Sequence, residues 1–254
     1  MGIAARFAQG IEQGRLLLAA SDTAALAPTG RLRAGMNFSN TVLTMRDRGD
    51  GKPGGVAADL ARELGKRLGV ETDFIAYDSP GEVVDAISAG KCDVCFLAIE
   101  PARAERIDFT APYVLIESTY IVREDSPISH PPDMDKPGLK IGVMERAAYD
   151  LYLTRTLQHA TLVRGNRDYL DDVGSGKIDA GAGIRQMLAD YAKTHKGLRI
   201  MPEAFATVSQ AMGCAKGGKG YLYLRAFVEE MKATGFVKRG LAASHQDATV
   251  APKA

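Results

Sequence analysis

Apolar residues return at every fourth position at Val56, Leu60, Leu64 and Leu68, which predicts a helix over 56–68 with one buried face. The following run, Val70-Glu-Thr-Asp-Phe-Ile-Ala76, predicts a strand, and Val83, Val84 and Ile87 predict a second helix starting near Pro80, a residue tolerated in a first turn. Cys92 to Ala98 is short and apolar, the pattern of a buried strand. In the second half, strands at 139–143 and 178–182 alternate with helices near 148–159 and 167–174. Tyr221, Leu224, Val228 and Met231 stripe a last helix that Gly235 would stop. Alternation of this kind predicts βαβ units and mainly parallel sheets covered by helices. A helix on Ile3, Phe7 and Ile11 has nothing to pair it with the remainder, and the chain from Ser244 onward is expected to fray.

One layout occurs twice. Leu32-Arg-Ala-Gly35-Met and Leu139-Lys-Ile-Gly142-Val each read as a first strand, and each is followed by a helix end, a Gly stop and a new strand. Those second markers are Ser88-Ala-Gly90-Lys91-Cys-Asp93-Val and Gly174-Ser-Gly176-Lys177-Ile-Asp179-Ala. Glycine suits the position because it takes the left-handed conformation at little steric cost.

Composition narrows the function classes. The chain has 254 residues, enough for two lobes, with 46% hydrophobic and 25% charged residues, which excludes a disordered chain. Lys and Arg number 32 against 31 Asp and Glu, so charge gives no case for nucleic acid or an anionic membrane. No apolar run reaches the ~18–20 residues of a spanning helix, and Leu16 to Ala20 is too short for a secretory core; no export signal is read. Three cysteines make no disulfide framework, and the sulfurs of Cys92 and Cys95 would point to opposite faces of a strand. His130, His159, His195 and His245 lie far apart, so no metal and no cofactor are expected.

Two glycine motifs fail on context. Gly49-Asp-Gly51-Lys-Pro-Gly54 fits a dinucleotide fingerprint in letters only, because charged residues precede it and Pro53 removes a backbone donor; a hairpin turn is expected. In Gly213-Cys-Ala-Lys-Gly-Gly218-Lys219-Gly220, Gly220 stands where a phosphate loop needs a hydroxyl for Mg²⁺, leaving a loop ahead of the last helix. The run from Glu100 to Tyr113 differs. Arg103 falls just past the carboxyl end of a buried strand, where ligands bind in open α/β sheets, and a guanidinium there can clamp a carboxylate through two parallel hydrogen bonds.

With Gly54-Gly-Val-Ala-Ala-Asp59-Leu-Ala, Gly90-Lys-Cys-Asp93-Val and Arg103…Asp-Phe109-Thr-Ala-Pro-Tyr113 in this order, the chain resembles the amino-acid-type (family 3) periplasmic solute-binding proteins of ABC transporters over about residues 30–240. The resemblance implies a two-lobed type II periplasmic-binding-protein fold closing on a small ligand. Lobe 1 would hold 30–113 plus 211–243 and lobe 2 114–210, with an N-terminal extension at 1–29 and a tail at 244–254. Strands near Pro112–Ser118 and Val208–Met212 would form the hinge. By resemblance Arg103 takes the ligand's carboxylate, Ala98 replaces a threonine and keeps only its backbone amide, and Ala147, Ala148 and Tyr149 supply backbone donors. Asn40 and Pro80 fall near positions where aromatics line the side-chain pocket. Ile184 occupies the place of the aspartate that binds the ligand's ammonium; a one-residue shift would put Arg185 there, and Glu100 or Glu145 would supply the missing charge. The resemblance thus implies a monomeric, non-enzymatic binder of an amino or organic acid, partnered by an ABC permease in the periplasm. Two alternatives stand beside it: a cyclohexadienyl-dehydratase-like enzyme with Glu100 or Glu145 as acid, and a cytoplasmic stand-alone sensor.

Overall fold

The two sequence echoes are the two halves of the fold. The structure, a computed structural model, describes residues 24–47 and 49–254; the helix expected on Ile3, Phe7 and Ile11 lies outside the described residues. In one half β1 (Arg31–Asn37) runs parallel between β2 (Glu71–Tyr77) and β3 (Val94–Ala98). In the other, β6 (Lys140–Met144) runs parallel between β7 (Thr161–Gly165) and β8 (Ala180–Ile184). The repeated Asp explains the echo. Asp93 accepts from the Arg33 amide at 2.9 Å and its own amide donates to the Arg33 carbonyl at 2.8 Å. Asp179 does the same with Lys140, at 2.8 Å and 3.0 Å. Each aspartate thereby pins the third strand of its kernel to the first.

Two long strands join the halves. β5 (Val114–Arg123) and β10 (Ala206–Ala215) pair antiparallel over Val114–Ser118 and Ala206–Gln210. β10 continues along β3, and β5 continues along β8, giving the order β2-β1-β3-β10-β5-β8-β6-β7. Three short strands complete the sheet: β4 (Ile107–Phe109) on β10, and β9 (Leu198–Ile200) and β11 (Thr249–Val250) on β5. Parallel pairing is confined to the two kernels, and every pair made by a crossing strand is antiparallel.

Local chemistry sets the helices. α1 (Val56–Leu68) matches its apolar stripe and ends on Gly69 in the left-handed region. α2 (Pro80–Ser88) has Pro in its first turn and Ser79 Oγ accepting from the Glu82 amide at 3.2 Å, as an N-cap should. The short α3 (Pro101–Ala104) follows β3. Lobe 2 carries α4 (Ala148–Thr156), α5 (Tyr169–Gly174) and α6 (Arg185–Thr194). Gly235 at φ 72 closes α7 (Tyr221–Ala233) as expected, but it also opens α8 (Phe236–Ala243), a two-turn helix too short for its stripe to register in sequence. The main core of the first half surrounds Leu60 and Phe227, that of the second surrounds Val143 and Leu188, and Ile184 packs against both.

Several expectations need correction. The tail at 244–254 is not frayed: Thr249 and Val250 pair with Leu115 and Val114, the Ala251 amide donates to the Tyr113 carbonyl at 3.1 Å, and Gln186 on α6 donates to the Asp247 carbonyl at 2.6 Å. Leu26 and Ala27 do pair with the first half, where both are buried in its main core. Cys92 sits before β3 rather than in it, so alternation does not separate it from Cys95, and both free thiols share one buried cluster. Burial pushes Cys92 up to about 12, which leaves it inert as a nucleophile at neutral pH. Met45 and Gly54 form the antiparallel bridge of the expected hairpin turn.

Asp135 staples the segment leading into β7 by accepting from the amides of Gln158, His159 and Ala160 at 2.7–3.1 Å. These donors hold its carboxyl well below the usual carboxylate range. A carboxyl depressed on folding contributes stability that is complete above its unfolded pKa, roughly 4, and is lost as pH falls through the lower folded value. Asp135→Asn is therefore expected to lower the urea midpoint at pH 7 and to lose less stability than wild type between pH 5 and pH 2. Parallel stability–pH curves would refute the assignment.

Candidate functional site

Four parallel strands end at one place. Asn37, Ala98, Met144 and Ile184 are the last residues of β1, β3, β6 and β8, and all four line a cavity, partly open to solvent, between the two halves. Carboxyl ends of strands in open α/β sheets are where ligands bind. The helices that follow start there too: Pro80 of α2, Ala148 of α4 and Ile184, the N-cap of α6, all line the cavity. Ala147 has no side chain to cap α4, so the first-turn amides of that nine-residue helix have no side-chain acceptor from it.

Arg103 is the dominant charge. It is 4% exposed, yet its partners are carbonyls: Nη1 donates to Ala98 at 3.0 Å and Nη2 to Arg146, across the cleft, at 2.9 Å. Burial pushes its guanidinium down to about 10, opposed in part by the charge of Glu100. Two further polar atoms, Ser118 Oγ and Asn40 Oδ1, are buried in the lining without a hydrogen-bond partner among the described residues. Buried polar atoms are nearly always bonded, so such orphans mark a place for something polar.

Of the nine residues singled out in the sequence, Ala98, Arg103, Asn40, Pro80, Ala147, Ala148, Tyr149 and Ile184 all line this cavity. Arg185 does not. Its guanidinium donates to Glu117 at 2.6 Å and to the carbonyls of Met201 and Pro202 at 3.1 and 2.9 Å, bracing the crossing strand. Glu100 and Glu145 are absent from the lining; Glu100 accepts from Arg155 at 2.6 Å. Sequence reading missed Arg167, Gln210 and Ser118, which also line it. Arg167 follows the carboxyl end of β7 as Arg103 follows that of β3, so the rule that exposed Arg103 would have exposed it as well.

Closure is recorded in contacts between the halves. Arg146 makes a bidentate pair with Asp85 at 2.8 and 3.0 Å, Arg155 reaches Glu100, and Arg167 donates to the Ser39 carbonyl. Arg146 holds φ 60, an uncommon value for a residue with a side chain, while its amide donates to Asp150 at 2.8 Å. Strain of this kind gathers at binding sites and hinges.

The model of the bacterial extracellular solute-binding proteins, family 3, matches residues 32–249. The chain belongs to that family. Among curated relatives, the L-cystine-binding protein TcyJ of Escherichia coli (strain K12) is 26% identical over 178 residues, covering 68% of this chain and 66% of its own length. The chain thus matches just under two thirds of that relative. Solved structures agree on the fold. The solute receptor for L-cysteine of Neisseria gonorrhoeae superposes with a TM-score of 0.75 at 20% identity, covering 87% of this chain and 92% of its own. The ancestral amino acid-binding protein AncCDT-1, a precursor of cyclohexadienyl dehydratase, does so at 0.72 and 23% identity, covering 87% and 97%. This family 3 chain therefore has the type II periplasmic binding-protein fold, and no helix among its described residues is long and apolar enough to cross a membrane.

Proposed function

We propose that this family 3 chain captures a small carboxylate-bearing solute, an amino acid or an organic acid, between its lobes and presents it as a monomer to an ABC-type transporter in the periplasm. The observation that carries the reading is Arg103: a buried guanidinium lining the cleft whose protein partners are carbonyls. A carboxylate there would meet the unsaturated part of the fork and the first-turn amides of α4, both preorganised. Micromolar affinity, roughly −8 kcal/mol, needs one such ion pair and a few backbone bonds. A dehydratase would need an acid in the cleft to protonate a leaving hydroxyl. Glu100 is held by Arg155 instead, and no carboxylate belongs to the lining among the described residues, which favours binding over turnover.

Native mass spectrometry for a co-purifying molecule, followed by a thermal-shift panel of amino and organic acids, tests the reading. The expected result is a raised Tm with at least one carboxylate and none with its amide, since binding to the native state alone stabilises it. Equal shifts from acid and amide would reject the carboxylate assignment.

A further inference from the structure

The arginines around the cleft divide into two groups. Arg146, Arg155, Arg164 and Arg185 each face a carboxylate: Asp85, Glu100, Asp150 and Glu117. Arg103 and Arg167 form no ion pair among the described residues, although the charge of Glu100, itself bonded to Arg155, reaches Arg103. The first donates to two carbonyls and the second to the carbonyl of Ser39. These two are the cationic side chains of the cavity lining, one from each half, and that lining holds no Asp or Glu among the described residues. Two guanidiniums and no acid give that lining a formal charge of +2, Arg103 buried and Arg167 exposed at the cleft's open side.

We propose, building on the carboxylate reading above, that the solute is a small dianion without an ammonium group: one anionic group at Arg103, the second at Arg167, which sets the specificity. Charge balance argues for it. A zwitterionic α-amino acid brings no net charge, so it would leave the lining's excess in place and put its ammonium near two cations. The position that resemblance assigns to an ammonium-binding aspartate is Ile184, whose side chain packs against both cores and offers only hydrocarbon. A cationic amino acid would add further like charge beside the buried Arg103, which is disfavoured. A dianion brings the sum to zero and gives each guanidinium a charged acceptor, the geometry arginine matches best. The orphaned Ser118 Oγ can donate to a carbonyl or hydroxyl between the two anionic ends, and Asn40 Oδ1 can accept from a hydroxyl there.

Calorimetry at pH 7.5 with malonate, succinate and glutarate against propanoate, butanoate and pentanoate tests the proposal, with L-alanine as the zwitterion. At least one diacid is expected to bind about tenfold or more tightly than its matched monoacid and than L-alanine. In Arg167→Gln that preference should fall below about threefold, with diacid affinity dropping further than monoacid affinity. Equal affinity of diacids and monoacids, or tighter binding of L-alanine, overturns the dianion and leaves the carboxylate reading intact. Equal weakening of both acids by Arg167→Gln also overturns it, assigning Arg167 to the closing contact with Ser39 alone. Silence from every acid and from L-alanine rejects the carboxylate reading itself, and the dianion with it.

Discussion

Replacing Arg103 with methionine is expected to abolish capture of the acid while raising the melting temperature of the unliganded protein. Both effects come from one cause. The guanidinium lies 4% exposed against carbonyls, and burial pulls it down to about 10 from its usual value above 12. A base whose folded pKa is lowered destabilises the fold at neutral pH, and that penalty fades as pH rises through about 10. Methionine removes the charge and keeps an unbranched apolar stem, two atoms shorter than arginine. Two carbonyls, of Ala98 and Arg146, lose a donor, which offsets part of the gain. The net change in stability is expected to be positive, on the order of 1 kcal/mol, a fraction of the cost of burying an unpaired charge. Binding should fall by roughly a hundredfold or more, as loss of a charge-assisted pair of hydrogen bonds implies. Calorimetry with the acid found in the thermal-shift panel and a melting curve at pH 7 read the two effects. Unchanged affinity would remove Arg103 from the site, and a lowered melting temperature would show that its carbonyl bonds outweigh its burial.

Gly55→Ala is expected to be the most damaging single-atom-group addition in lobe 1, costing about 3 kcal/mol or more. Gly55 is the N-cap of α1 at φ 86 and ψ 164, a region essentially closed to residues with a Cβ. A Cβ built there would lie 2.4 Å from the Leu43 carbonyl oxygen and 2.8 Å from its carbon, both backbone atoms that cannot swing aside. Gly69, at the other end of the same helix with φ 71, has nothing within 4 Å of an added Cβ. Gly69→Ala should therefore cost only the left-handed backbone term, about 1 kcal/mol. Urea titration of the pair separates clash from conformation. A midpoint for Gly55→Ala equal to that of Gly69→Ala would sink the argument.

Much of the fold was legible because the elements carry unmixed periodicity. The stripe at Val56, Leu60, Leu64 and Leu68 gives α1 to the residue, and the paired Gly and Asp markers give the two kernels. What the markers do not reveal in sequence is why the aspartates repeat; only the reciprocal bonds to Arg33 and Lys140 show it. The tail was illegible for a different reason. Thr249 and Val250 take their order from pairing with β5, a partner more than a hundred residues away, and no local pattern announces it. At the site, Arg103 was readable from the strand end before it, whereas Ala98, Ala147 and Ala148, which also sit at a strand end or a helix start, came from the family resemblance. Arg185 was placed by counting along an alignment, and one position of slip carries a side chain from the cleft to the outer brace of β5. Ser118 escaped notice because a crossing strand exposes a hydroxyl to the cavity only once both lobes are assembled around it.

Guanidinium-to-oxygen contacts are among the bonds that bridge the halves, and the Arg146–Asp85 pair among them has both side chains about half exposed, 45% and 53%. Exposed pairs of this kind each hold about 0–1 kcal/mol and weaken as salt rises. That salt link alone is thus a loose grip, comparable to thermal energy. Under the proposed function, a solute captured with micromolar strength would bring several times that energy and outweigh the link.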